Sequence, residues 1–106
     1  MTWDGVTITS PRNAAVYVNV FEEDAAPSQC VQPKNPDRAS WMTARGLTFR
    51  NVVATGMGSA YAGCFNCAPN EPCQDISFDN VKIDTTKPYK CFNTRATSSG
   101  SSPSPC

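Results

Sequence analysis

Few side chains in this 106-residue sequence could do chemistry, and the absence of histidine narrows the choice. Six cysteines stand at Cys30, Cys64, Cys67, Cys73, Cys91 and Cys106. An even, scattered set in a short chain favours a disulfide framework formed in an oxidising compartment, although many pairings are open to six thiols. Cys64-Phe65-Asn66-Cys67 has the CxxC spacing of redox and zinc sites. With neither a second CxxC nor a histidine to complete a ligand set, structural cysteines are the expectation. Glu22, Glu23 and Asp24 offer carboxylate oxygens of the kind calcium takes. Three consecutive residues rarely converge on one ion, so a solvated loop entrance is expected there. Asp4, Asp79 and Asp84 are the remaining carboxylates that resemble catalytic candidates. No metal, cofactor or catalytic residue is assigned.

What must position these residues is a repeated phrase. Leu47-Thr48-Phe49-Arg50-Asn51-Val52-Val53-Ala54 recurs as Ile76-Ser77-Phe78-Asp79-Asn80-Val81-Lys82-Ile83, and Met1-Thr2-Trp3-Asp4-Gly5-Val6-Thr7-Ile8 is a weaker copy. Each reads apolar, hydroxyl, aromatic, polar or charged, Asn or Gly, then Val. The alternation has period two, which suits a strand packed on one face and wet on the other. Asp4 and Asp79 share the place that Arg50 holds in the middle copy, so electrostatic pairing between repeats is their expected role. Trp3, Phe49 and Phe78 also share a place, which predicts an internal aromatic stack rather than a platform for sugars. Asn51 and Asn80 are expected to form a ladder, hydrogen-bonding backbone in their own repeat and the next.

Between the copies lie short apolar runs at 14–21 and 60–65, so the unit is strand, turn, strand, turn. Pro11 and the glycines Gly56 and Gly58 mark turns. Pro27, Pro33 and Pro36 break residues 25–43 into a long loop, with Cys30 and Trp41 tying parts of it down. Residues 64–73 form a Cys-rich turn and residues 87–93 a last irregular rung. The segment 94–106 is rich in Ser, Gly, Pro and Thr with little to bury, a tail held only through Cys106. No stretch shows a 3.6-residue period. Rungs that cannot bury their own apolar side are the recipe for a stacked coil in which neighbours supply the core. One domain is expected, with residues 1–93 as stacked rungs and 94–106 as the tail. A compact antiparallel sandwich is the competing architecture.

Nine basic and nine acidic residues cancel, and no basic stripe offers a nucleic-acid footprint. No apolar run is long enough to span a membrane as a helix, and no signal-peptide pattern opens the sequence. Met1 already occupies the first place of a repeat, so the sequence reads as an excerpt of a longer, secreted chain.

The phrase Leu47-Thr48-Phe49-Arg50-Asn51-Val52, the turn Asn70-Glu71-Pro72-Cys73 and the strand at 76–83 resemble the C-terminal rungs of polygalacturonase-like pectin-degrading glycoside hydrolases. The resemblance implies an all-β fold, a C-terminal fragment of a right-handed parallel β-helix of the pectin-lyase type. It implies secretion, inverting hydrolysis of galacturonan, and two kinds of partner: plant cell-wall pectin and further N-terminal rungs of the same fold. By the same similarity Cys67 pairs with Cys73 and Cys91 with Cys106, leaving Cys30 with Cys64. Such enzymes place an acid and a base on neighbouring rungs, in Asn-Thr-Asp, Asp-Asp, Gly-His-Gly and Arg-Ile-Lys phrases. None of those phrases occurs here, and Phe21-Glu22 stands where a substrate-contacting tyrosine is expected. This portion is therefore expected to cap and staple the coil without catalysing. The alternative is a non-catalytic secreted module that binds polysaccharide or serves as a scaffold.

Overall fold

The inward-facing residues of the repeated phrase do not keep strict alternation, and that irregularity shapes the molecule. In the computed structural model, which describes residues 1–21, 30–32 and 44–106, Phe49 and Val52 are buried while Arg50 and Asn51 between them are both exposed. Phe78, Asp79, Asn80 and Val81 repeat the pattern. The cause is a left-handed backbone at the middle position, with φ of 52° at Asn51 and 56° at Asn80. One left-handed residue bends the strand and shifts the inward phase by one, so the inner set becomes Leu47, Phe49, Val52 and Ala54. Asn tolerates this conformation better than other non-glycine residues.

Seven strands form: β1 (Thr2–Thr9), β2 (Ala14–Asn19), β3 (Arg45–Thr55), β4 (Tyr61–Asn66), β5 (Cys73–Ile83), β6 (Lys90–Phe92) and β7 (Thr94–Ser99). Odd strands build one sheet in the order β1-β3-β5-β7 and even strands a second in the order β2-β4-β6. All pairings between these strands are parallel. Successive strands thus alternate between two sheets, and each odd–even pair is one rung lying on the next. The antiparallel sandwich is ruled out by this pairing. Among the described residues there is no helix.

Register follows the repeat. Trp3 pairs with Phe49 and Phe49 with Phe78; Thr2, Thr48, Ser77 and Thr97 make a hydroxyl row; Val6, Val52 and Val81 make an aliphatic one. The core between the sheets is one apolar cluster in which Phe65 from β4 and Phe78 from β5 are fully buried. Each such side chain contributes about 1.5–3 kcal/mol by leaving water. Trp3 stacks on Phe49 with centroids 4.9 Å apart, Phe49 stacks on Phe78 at 5.0 Å, and Phe65 meets Phe49 and Phe78 edge-on.

The segment after Asn93 differs from its sequence reading. Instead of a tail held only at Cys106, residues 94–99 form β7, whose pairing with β5 includes Ile76 to Ala96 and Phe78 to Ser98. Pairing continues beyond β7, since Ile83 N–H donates to Ser102 O at 2.8 Å and Ser102 N–H donates to Val81 O at 2.9 Å. Polar residues serve here because the edge strand needs backbone partners more than side chains to bury. The turns at Gly56 and Gly58, both with positive φ, agree with the sequence reading. The carboxylates Glu22, Glu23 and Asp24, and most of the loop at 25–43 including Trp41, lie outside the described residues.

Candidate functional site

Two constructions gather the residues that the sequence singles out. The first is a corner ladder. Register aligns Gly5, Asn51, Asn80 and Gly100, and all four have positive φ, of 72°, 52°, 56° and 59°. At this shared bend Asn80 Nδ2 donates to Asn51 Oδ1 and Asn51 Nδ2 donates to Asp4 Oδ1, each at 3.0 Å. The ladder therefore runs from side chain to side chain, not to backbone as the sequence reading had it. Beside it Arg50 faces Asp79 at 3.6 Å, both well exposed. Asp4 and Asp79 are thus engaged between rungs.

The second construction is the cysteine rim. Three disulfides form, Cys30–Cys64, Cys67–Cys73 and Cys91–Cys106, and no cysteine is free. The CxxC pair Cys64 and Cys67 is divided between two of them, so it makes neither a redox couple nor a metal pair. Among the described residues no group of His, Cys, Asp or Glu can hold a metal ion. Cys30 brings the long loop onto β4, where Asn66 Nδ2 donates to Val31 O at 2.9 Å and Gln32 Nε2 donates to Cys67 O at 2.6 Å. Asn93 Nδ2 donates to the same Cys67 carbonyl at 3.0 Å. One backbone carbonyl at the Cys-rich turn thereby ties together the loop, the turn and the last rung.

Residues 84–92 add features that the sequence reading passed over. Tyr89 is half-buried against the core, edge-on to Phe78 at 5.4 Å, and ends the aromatic stack on that side. Gly63 makes room for it: a Cβ there would lie 2.5 Å from the Tyr89 ring. The Tyr89 hydroxyl has no hydrogen-bond partner among the described residues, and burial pushes its pKa above the usual tyrosine range. Nearby, Lys87 Nζ lies 5.0 Å from the Tyr61 ring centroid and Lys90 Nζ lies 5.9 Å from it and 5.8 Å from that of Phe92. This cation–aromatic cluster joins residues 26 and 29 positions apart in the chain. The only sequence signal for it was the pair of lysines around Pro88 and Tyr89, in a segment without periodicity.

Asp84 anchors backbone, its N–H donating to Ala54 O at 3.0 Å. The arrangement holds rungs in register and staples one end of a stack. No protein-family model, no curated protein and no solved structure matches the chain.

Proposed function

We propose that this chain is the terminal, stapled portion of a secreted right-handed parallel β-helix of the pectin-degrading, polygalacturonase-like kind. Its task is to cap and stabilise a coil whose other rungs hydrolyse galacturonan. Right-handedness follows from general stereochemistry, because about 98% of strand–crossover–parallel strand connections turn that way. The observation that carries the reading is the stapling around β5, β6 and β7. There the disulfides Cys67–Cys73 and Cys91–Cys106 have the pairing that the resemblance implies, and β7 covers β5. Three disulfides are also compatible with an oxidising, extracellular setting. Sequencing the transcript upstream of the Met1 codon tests the proposal. A frame continuing into rungs with Asn-Thr-Asp, Asp-Asp, Gly-His-Gly and Arg-Ile-Lys phrases is the expected result, and an in-frame stop directly before Met1 would contradict it.

The cluster of Lys87 and Lys90 around Tyr61 favours a second reading, a non-catalytic module that binds acidic polysaccharide. Retention on a galacturonan column that is lost in Lys87→Ala/Lys90→Ala would support this reading. Equal elution of the two proteins would remove it.

A further inference from the structure

Near the start of β5 a strained residue serves no contact that the stack requires. Register sets Asp75 beside Gly46, and both are left-handed, with φ of 59° and 69°. The pairing of β5 with β7 slips between Cys73 and Ile76, so Gln74 and Asp75 together lie opposite Arg95. Bulges of this kind re-aim side chains. The left-handed asparagines all use theirs: Asn51 and Asn80 in the corner ladder, Asn93 on the Cys67 carbonyl. Asp75 differs. Its carboxylate lies over Gly46, where a Cβ would stand 3.8 Å from Oδ2, and it has neither a hydrogen bond nor an ion pair among the described residues. The Arg95 guanidinium has none there either. Glycine would hold the bend without strain, so the fold by itself does not call for a carboxylate at this position.

Both charges border a cleft of about 470 Å³ whose lining includes Gln74, Ile76 and Thr97. We propose that this cleft binds a sugar acid, specifically one uronate residue of an acidic oligosaccharide. A guanidinium takes a carboxylate through two parallel N–H donors. The Asp75 carboxylate only accepts, so it takes ligand hydroxyls, while Gln74 and Thr97 offer both donors and acceptors to the others. Ile76 gives the cleft an apolar patch against which the ring can lie. An anion without hydroxyls would leave Asp75 facing like charge, and a neutral sugar would leave Arg95 unpaired. The matching ligand therefore carries a carboxylate and several hydroxyls on one compact ring. The choice of a uronate among such acids rests on the galacturonan reading above. The Lys87 and Lys90 cluster shares no residue with this cleft.

Titration of the isotope-labelled, oxidised full chain with trigalacturonate, followed in amide spectra, tests the proposal. Saturable shifts are expected at residues 74–76 and 94–97, and much smaller ones with the methyl ester, with maltotriose or with acetate. Arg95→Ala should weaken binding at least about tenfold, and Arg50→Ala, which removes another exposed arginine of the same sheet, should not change it. Asp75→Gly should also weaken binding while holding or raising the thermal unfolding midpoint, because glycine removes the strain. Absence of saturable shifts would overturn the proposal, as would equal shifts with acetate or maltotriose, or shifts confined to residues 61 and 87–92. Unchanged binding by Arg95→Ala, or a lowered midpoint with unchanged binding in Asp75→Gly, would overturn it too. Failure here leaves the upstream sequence test standing, and an upstream stop with binding intact would remove the enzyme's coil and keep the site.

Discussion

The two ends of this stack bury the same kind of residue by different means. At the β7 end the aromatic row stops on Tyr89, edge-on to Phe78, while backbone from the polar strand and Ser102 satisfies β5 and the Cys91–Cys106 disulfide holds the last residue. At the β1 end the same row stops on Trp3, with one ring face stacked on Phe49 and the next position empty among the described residues. A repeat therefore needs a different sequence where it ends. The closing segment replaces the large apolar residues of the phrase by Ala, Ser and Thr, keeping the hydroxyl row at Thr97 and the left-handed corner at Gly100. β1 keeps the phrase, with Gly5 at the left-handed corner.

That contrast is broken most sharply by truncating the row at its two ends. Phe78→Ala should destabilise the oxidised protein by about 3–5 kcal/mol, because a cavity is left among Phe49, Phe65 and Tyr89. Trp3→Ala should cost about 1 kcal/mol, since one face of the ring is already in water. Urea unfolding of both variants measures the difference, and equal losses would mean that the β1 end is covered.

Next in size is the staple. Replacing Cys91 and Cys106 by Ser opens a loop spanning 15 positions. Loop-closure entropy alone sets the loss at about 3 kcal/mol. Calorimetry should show it, with β7 exchanging its amides faster than in the parent. The corner ladder comes third. Asn80→Ala forces a Cβ without a compensating side-chain hydrogen bond into left-handed backbone and should cost about 1–2 kcal/mol. Asn80→Gly should cost less than half of that, because glycine adopts the conformation freely. A reversed order in thermal unfolding would show that the amide ladder, not the backbone bend, holds the corner.

The smallest effect belongs to Tyr89→Phe, which removes a buried hydroxyl without a partner among the described residues and should be neutral or slightly stabilising at pH 7. Its signature is alkaline. Burial keeps the Tyr89 proton on the folded protein at pH values where the unfolded chain has lost it. The stability this contributes is complete below the unfolded tyrosine pKa of about 10 and is lost as pH rises past it. Unfolding midpoints of parent and variant should therefore diverge only above about pH 10, with the parent falling faster.

Much of this was legible in the sequence because a repeat encodes its own register. Leu47 through Ala54 and Ile76 through Ile83 named their partners, and Trp3, Phe49 and Phe78 had to meet once the copies were stacked. The phase slip at Asn51 and Asn80 was also written there, in the two polar residues between Phe and Val, yet a period-two reading passes over it because a bend needs a backbone angle that side-chain type only permits. β7 was hidden for a different reason. An edge strand that closes a stack is recruited by the unpaired backbone of β5, so its side chains carry no apolar pattern. Tyr89 and the Lys87–Tyr61 cluster arise from contacts between segments with no periodicity, which composition does not encode.

The account depends above all on an open first rung beside closed inner ones, and amide hydrogen exchange of the oxidised chain tests it directly. Amides by which β3 and β5 bond to each other should exchange only by global opening. Those by which β1 bonds to β3, such as the Thr48 N–H that donates to Met1 O, should exchange through a local opening. Protection of the bonds between β1 and β3 equal to that of the bonds between β3 and β5 would contradict it.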